Sequence, residues 1–193
     1  MSYKEELSKA EKKSLELNLS PRLSNNFPIT DDFKSSLDGF CNEHLLGHLM
    51  GMFGQGYWGT QCLNIAPQLF VMLQHHNIPC ELVYGEVNIN GTDEFDTTLE
   101  GLIHELKSSS FDSPFAVHVW ISVGDDIIID PTVSSRIHRY YSNDVPQNYI
   151  ICGSSDSLKK EWMLDYKPML VGAKYINVTC GIPLEYVSEH QSA

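Results

Sequence analysis

A chain of 193 residues, 42% hydrophobic and 20% charged, is long enough for one domain with a proper core and has the composition of a globular protein. Its formal net charge of -12 argues against nucleic acid and anionic membrane surfaces as partners, and it contains no apolar run long enough to span a bilayer. The five cysteines (Cys41, Cys62, Cys80, Cys152 and Cys180) are odd in number and irregularly spaced, without a Cys-x-x-Cys pair, and the first residues hold no apolar leader core. A reduced, cytoplasmic protein is therefore expected, with no disulfide framework and no thiolate zinc site.

Residues 1–28 read as an N-terminal helix or arm followed by loop. Ser2 to Leu17 is charged and helix-permissive, with Leu7, Ala10, Leu15 and Leu17 as its apolar handles. Ser20-Pro-Arg-Leu-Ser-Asn-Asn-Phe-Pro is loop chemistry. Thr30-Asp31-Asp32 offers an N-cap for a helix through Phe33, Leu37 and Phe40 that continues or restarts through Leu45, Leu46 and Leu49. His44 and His48 stand four apart on it, but Leu45 follows His44 where a zincin requires glutamate, so no metal is expected.

Gly51-Met-Phe-Gly-Gln-Gly-Tyr-Trp-Gly59 forms a flexible, aromatic approach to Cys62. From Ile65 apolar residues recur at Leu69, Met72 and Leu73, the spacing of a helix face, and Asn77 with Ile78-Pro79 ends that helix. Cys62 falls in or just before its first turn, where unpaired amides and the helix dipole favour a thiolate over a thiol of ordinary pKa ~8.5. Pro67 removes one hydrogen bond to the Leu63 carbonyl and predicts a local kink.

Cys80 to Ile89 predicts a strand, with Gly85 marking a bulge or close backbone contact. Asn90-Gly91 turns, Thr97-Thr-Leu-Glu100 resembles a capping box for a helix through Leu102, Ile103 and Leu106, and Ser108 to Pro114 is loop. Two β-rich runs then flank Gly124-Asp125-Asp126, a hairpin signal. On the first, Phe115, Val117, Val119, Ile121 and Val123 share one face, and Ala116, His118, Trp120 and Ser122 the other. A two-residue turn would set Asp130 across from Val119, on the wrong face. A three-residue turn sets it across from Trp120 and diagonal to His118, and a bulge would do the same. Further on come a loop from Tyr140, a strand at Tyr149 to Cys152, a helix capped near Asp156 or Ser157, and a final strand from Tyr175 to Thr179. Helices first and strands later make a single α+β domain with an antiparallel sheet.

A cysteine at a helix N-terminus, a histidine on a later strand and an aspartate on the next supply nucleophile, base and orienter. The order and local contexts resemble the transglutaminase-like superfamily of papain-type folds. Gly-Thr-Gln-Cys62 with Ala66, Leu69 and Ile78-Pro79 is similar to that family's cysteine helix, and Leu82-Val-Tyr-Gly85 to its next strand. His118-Val-Trp120 is similar to its "HAW", and Asp130-Pro-Thr132 to its "DPT". The likeness covers residues 54–133; Asn77, Cys80-Glu81 and Ile127-Ile-Ile129 depart from the pattern. It implies a papain/transglutaminase-like fold in which the nucleophile helix packs on the antiparallel sheet. It also implies catalytic Cys62, His118 and Asp130, and an oxyanion hole of the Cys62 amide plus an upstream donor, Gln55 or Trp58. Tyr57, a further rival for that donor, and Trp120 would border the substrate cleft. The implied activity acts on a peptide or glutamine-type amide through an acyl-thioester, by hydrolysis or by transfer to an amine, and needs no cofactor. Two other readings stay open: transfer from a thioester in the manner of arylamine N-acetyltransferases, and a catalytically silent binding module with an unreactive Cys62.

Overall fold

The computed structural model describes residues 2–23, 27–108 and 117–186. Ser2 opens the first helix, α1 (Tyr3–Glu16), with a capping box in which its hydroxyl accepts from the Glu5 amide and the Glu5 carboxylate from its own. Tyr3, Leu7, Ala10 and Ser14 face inward. Leu15, expected as an apolar handle, is 56% exposed, because helical phase gives the inward position to Ser14. The Ser14 hydroxyl donates to the Ala10 carbonyl (2.8 Å) and accepts from the Val171 amide (2.7 Å), which ties α1 to the sheet.

Thr30 caps α2 (Asp31–Gly39) through the Phe33 amide, and that helix passes through a π-turn (Phe40–Leu45) into α3 (Leu46–Phe53). Cys41, Leu45 and Leu49 face the core, while His44 and His48 are exposed. The central helix, α4 (Cys62–His75), buries Ile65, Ala66, Leu69, Phe70 and Leu73. It continues through Pro67 and stops where Asn77 takes a φ of 58°. Among the described residues no helix is long and apolar enough to cross a membrane.

After α4 comes β1 (Glu81–Ile89), the strand on which the sheet is assembled. Asn90 and Gly91, at φ 51° and 88°, return the chain as β2 (Thr92–Asp93). Gly85 sits at a register shift in the pairing with the last strand, as its residue type suggests. Thr98 rather than Thr97 caps α5 (Leu99–Ser108), its hydroxyl accepting from Gly101 (3.1 Å), because the Thr97 amide is bonded to Glu86. The loop expected after Ser108 and strand positions Phe115 and Ala116 lie outside the described residues.

The hairpin of β3 (His118–Val123) and β4 (Ile127–Asp130) pairs Val123 with Ile127 and Ile121 with Ile129 across Gly124-Asp125-Asp126. This is the three-residue turn, and its register sets Asp130 against Trp120. Then follow α6 (Val133–Tyr140), β5 (Ile151–Ser154), α7 (Ser155–Glu161) capped by Ser154, β6 (Leu164–Val171) and α8 (Lys174–Thr179). The strand expected at Tyr175–Thr179 is therefore a helix. Its buried Tyr175, Ile176 and Thr179 have helical spacing, and packing overrides the β-propensity of the segment.

The pairing is antiparallel throughout: β1 lies between β6 and β3, β4 and β5 follow β3, and β2 pairs the end of β1. One face packs on α2, the π-turn, α3, α4, α5 and α8, the other on α1, α6 and α7. The architecture is α+β. At the head of β1 the fully buried Glu81 carboxylate accepts from the amides of Leu82 (2.9 Å), Arg22 (2.7 Å) and Ala173 (3.0 Å) and from the Tyr186 hydroxyl. Burial pushes its pKa up against these stabilising bonds.

Candidate active site

Cys62 is the first residue of α4, and Gln61 before it makes no side-chain cap. The Cys62 and Leu63 amides, lacking intrahelical acceptors, therefore emerge at the helix end. Cys62 is 5% exposed, and its thiol donates to the Val117 carbonyl at 3.2 Å, one residue before His118.

His118 opens β3 and Asp130 closes β4. Their Nε2 and Oδ2 atoms are 2.6 Å apart, and both residues are fully buried. The second Asp130 oxygen accepts from the Thr132 amide (2.8 Å), the Thr132 hydroxyl (3.2 Å) and the Val133 amide (3.0 Å). The Tyr166 hydroxyl donates to Oδ2 at 3.1 Å. Every lone-pair direction of the carboxylate is thus used, and its orientation is fixed. With Nε2 committed, Nδ1 is the nitrogen left over. It is buried without a hydrogen-bond partner, and Cys62 is, after Asp130, a group near enough to favour the charged ring.

Burial opposes charge on His118, but the Asp130 carboxylate outweighs it and, with a contribution from Cys62, pushes the pKa from 6.5 up to about 10. Burial likewise opposes charge on Asp130, and His118 with the Thr132 and Val133 amides holds its pKa below the ordinary value. An imidazolium–carboxylate pair at neutral pH follows. The stability it contributes has two limits. The His118 part is complete below the unfolded pKa of 6.5 and is lost as pH rises through about 10. The Asp130 part is present above 3.8 and is lost as pH falls through its depressed folded value. Thermal melts of the wild type should therefore decline from neutral pH toward pH ~10, and less steeply in Asp130→Asn. Parallel declines would mean that the pair does not carry this linkage.

A cleft of about 540 Å³ opens beside the sulfur, with Thr60, Leu63, Phe95, Arg136, Cys180 and Ile182 in its walls. Its one charged lining residue among those described, Arg136, is already engaged, with Nε on the Glu94 carboxylate and Nη2 on the Glu94 carbonyl, both at 2.9 Å. His118 does not line this cleft, because the Phe95 ring lies flat on the imidazole.

Other residues expected at the site stand elsewhere. Trp120 is fully buried beneath α1, its Nε1 donating to the Tyr3 hydroxyl (3.0 Å); it neighbours His118 but not the cleft. Tyr57 packs outside the cleft, under the guanidinium of Arg139 and edge-on to Tyr140. Trp58 has both N–H groups engaged, Nε1 by the Gly54 carbonyl and the backbone amide by the Ser135 hydroxyl (3.1 Å each). Gln55 is exposed and outside the cleft lining. Among the described residues, the Cys62 and Leu63 amides are donors that the start of α4 leaves beside the sulfur. Tyr166 and Phe95 have no counterpart in the sequence reading. Tyr166 belongs to β6, a strand not anticipated. Phe95 carried a signal, as the lone aromatic in the polar run from Thr92 to Thr98.

Compared with protein-family models, curated proteins and solved structures, the chain matches none. What fold and site define is an α+β protein with a cysteine at a helix N-terminus beside a buried imidazole–carboxylate pair.

Proposed function

We propose that the protein is a transglutaminase-like cysteine enzyme of papain-type fold that acts on an amide through an acyl-Cys62 intermediate. The observation that carries this reading is the 2.6 Å His118–Asp130 pair set beside Cys62 at the start of α4. The helix end and the imidazolium both stabilise negative charge, on sulfur before attack and on the carbonyl oxygen after it. Sulfur attacks the acyl carbon, and the oxyanion is received by the Cys62 and Leu63 amides. His118 gives a proton to the departing amine as the C–N bond breaks, leaving the thioester and a neutral imidazole. That imidazole then takes a proton from water or an amine as it attacks, becoming imidazolium again, and the C–S bond breaks to return the Cys62 thiolate beside it. Water gives hydrolysis, an amine gives transfer. A cleft whose one cation among the described residues is already paired suits an uncharged acyl group, such as a glutamine-type side chain or a peptide carbonyl. The five cysteines are all free, and a reducing, cytoplasmic setting would keep Cys62 a thiol.

Iodoacetamide at mildly acidic pH is expected to alkylate Cys62 first. Burial pushes the Cys80 and Cys180 thiols up, and the neighbouring Cys41 together with burial pushes up Cys152. Peptide mapping over a time course reads the order; equal rates at all five would favour a silent binding module. The decisive measurement is acid quenching after incubation with peptide and glutamine amides. An acyl adduct should be found on Cys62 by mass spectrometry and be missing from Cys62→Ala. No adduct with any amide would refute the proposal.

A further inference from the structure

Phe95 is the large side chain that the turn between β2 and α5 sends inward, and it is 4% exposed. One carboxylate holds it there. Glu86 on β1, 3% exposed, accepts with Oε1 from the amides of Val87, Glu94 and Phe95 (2.9 Å each) and with Oε2 from Thr97 (2.8 Å). A turn near the surface can satisfy its amides with water. Bonding them instead to a buried carboxylate desolvates a charge-bearing group, and in return it fixes the Phe95 backbone against β1. Arg136 restrains the ring as well. Its guanidinium carbon lies 4.5 Å from the Phe95 centroid while its nitrogens hold Glu94. The Phe95 ring is stacked on the imidazole of His118, with centroids 4.1 Å apart and planes 14° from parallel.

A flat ring in that position has two effects on the imidazole. It blocks rotation about χ2, a broad and otherwise soft torsion in histidine. It also keeps water from the His118–Asp130 hydrogen bond, which is stronger in a dry site. Both matter because Nε2 is tied to Asp130, so a small swing of the ring takes Nδ1 away from Cys62. Resting on the reading of Cys62 and His118 as nucleophile and base, we propose that Phe95, held by Glu86, is a positioning residue that keeps the imidazole aligned between Asp130 and Cys62.

Three variants test this. Phe95→Leu keeps apolar bulk and loses the flat face, Phe95→Tyr keeps the face, and Glu86→Gln loosens the turn without touching the cleft. Each folded variant is examined for the pH dependence of Cys62 alkylation by iodoacetamide and for the far-downfield proton resonance of the His118 N–H bonded to Asp130. In Phe95→Leu and Glu86→Gln the acidic limb of alkylation should move up by about one pH unit or more, toward an ordinary thiol at ~8.5, and the resonance should broaden or vanish. Phe95→Tyr should keep both. Merely opening the cleft would raise the rate at every pH and leave the limb in place, so the limb separates positioning from access. An unmoved limb and an intact resonance in a cooperatively melting Phe95→Leu overturn the proposal. If Glu86→Gln does not fold, Phe95→Leu against Phe95→Tyr decides it. If wild-type Cys62 shows the same limb as an ordinary thiol, the nucleophile reading itself falls, and this proposal with it.

Discussion

Asp130→Asn should yield a folded protein whose turnover on an accepted amide is lower by about 10³–10⁴-fold. The carboxamide oxygen can take the Oδ1 position and keep the bonds from the Thr132 and Val133 amides. Its NH₂ then occupies the Oδ2 position, where the Tyr166 oxygen can accept from it after its O–H rotates. His118 has no such freedom. Facing a donor, Nε2 must be unprotonated, so the neutral ring carries its proton on Nδ1 and cannot receive one from Cys62. The fold survives and the tautomer is wrong. Asp130→Ala is more damaging, since it strands the buried donors of Thr132, Val133 and Tyr166 at about 1–3 kcal/mol each. Rate constants normalised to titratable Cys62, read beside thermal melts, separate the two variants. Turnover within a few-fold of wild type in Asp130→Asn would make Asp130 a structural residue.

Gly85→Ala should damage stability and site together. Gly85 pairs with His118 across β1 and β3 and sits at the register shift toward β6. A Cβ placed there would stand 2.1 Å from the Lys167 carbonyl oxygen and 2.9 Å from the Trp120 ring. The first contact is with backbone, which cannot rotate aside. Either β6 moves away from β1 or the start of β3 shifts, and with it the imidazole. Overpacking of this kind costs about 1–3 kcal/mol and occasionally more. For a chain of this size that corresponds to a fall in melting temperature of roughly 3–10 °C. A melt indistinguishable from wild type would show that the shift at Gly85 relaxes freely.

The parts of this molecule governed by local rules were legible in the sequence. Asn77 ends α4 because a left-handed cap followed by Ile-Pro permits little else, and Gly124-Asp125-Asp126 marked a hairpin, leaving a two-residue turn, a three-residue turn or a bulge for the structure to decide. What depended on distant packing was not legible. Tyr175 to Thr179 has the residues of a strand and becomes a helix because α5 and the core lie where its buried side chains need them. Strand alternation correctly put His118 and Trp120 on one face, but alternation does not say how far a cleft extends. The α4 helix packs with the opposite face, that of Val117, Val119 and Ile121, and Cys62 reaches His118 only at the strand's beginning. Two residues further along, Trp120 is already under α1. The engagement of Trp58 was not legible for a similar reason. Trp58 lies close in sequence to Cys62, but its N–H groups are used in holding the segment that leads into α4.

The Glu81 carboxylate has a consequence for the chain as a whole. Arg22, which follows α1, and Tyr186, which follows α8, both bond to this one group, and the Arg22 guanidinium carbon rests 4.3 Å from the Tyr186 ring centroid. Two segments remote in sequence, one following α1 and one following α8, are therefore clasped at the head of β1. The loss of freedom in bringing two such remote segments together is already met by folding.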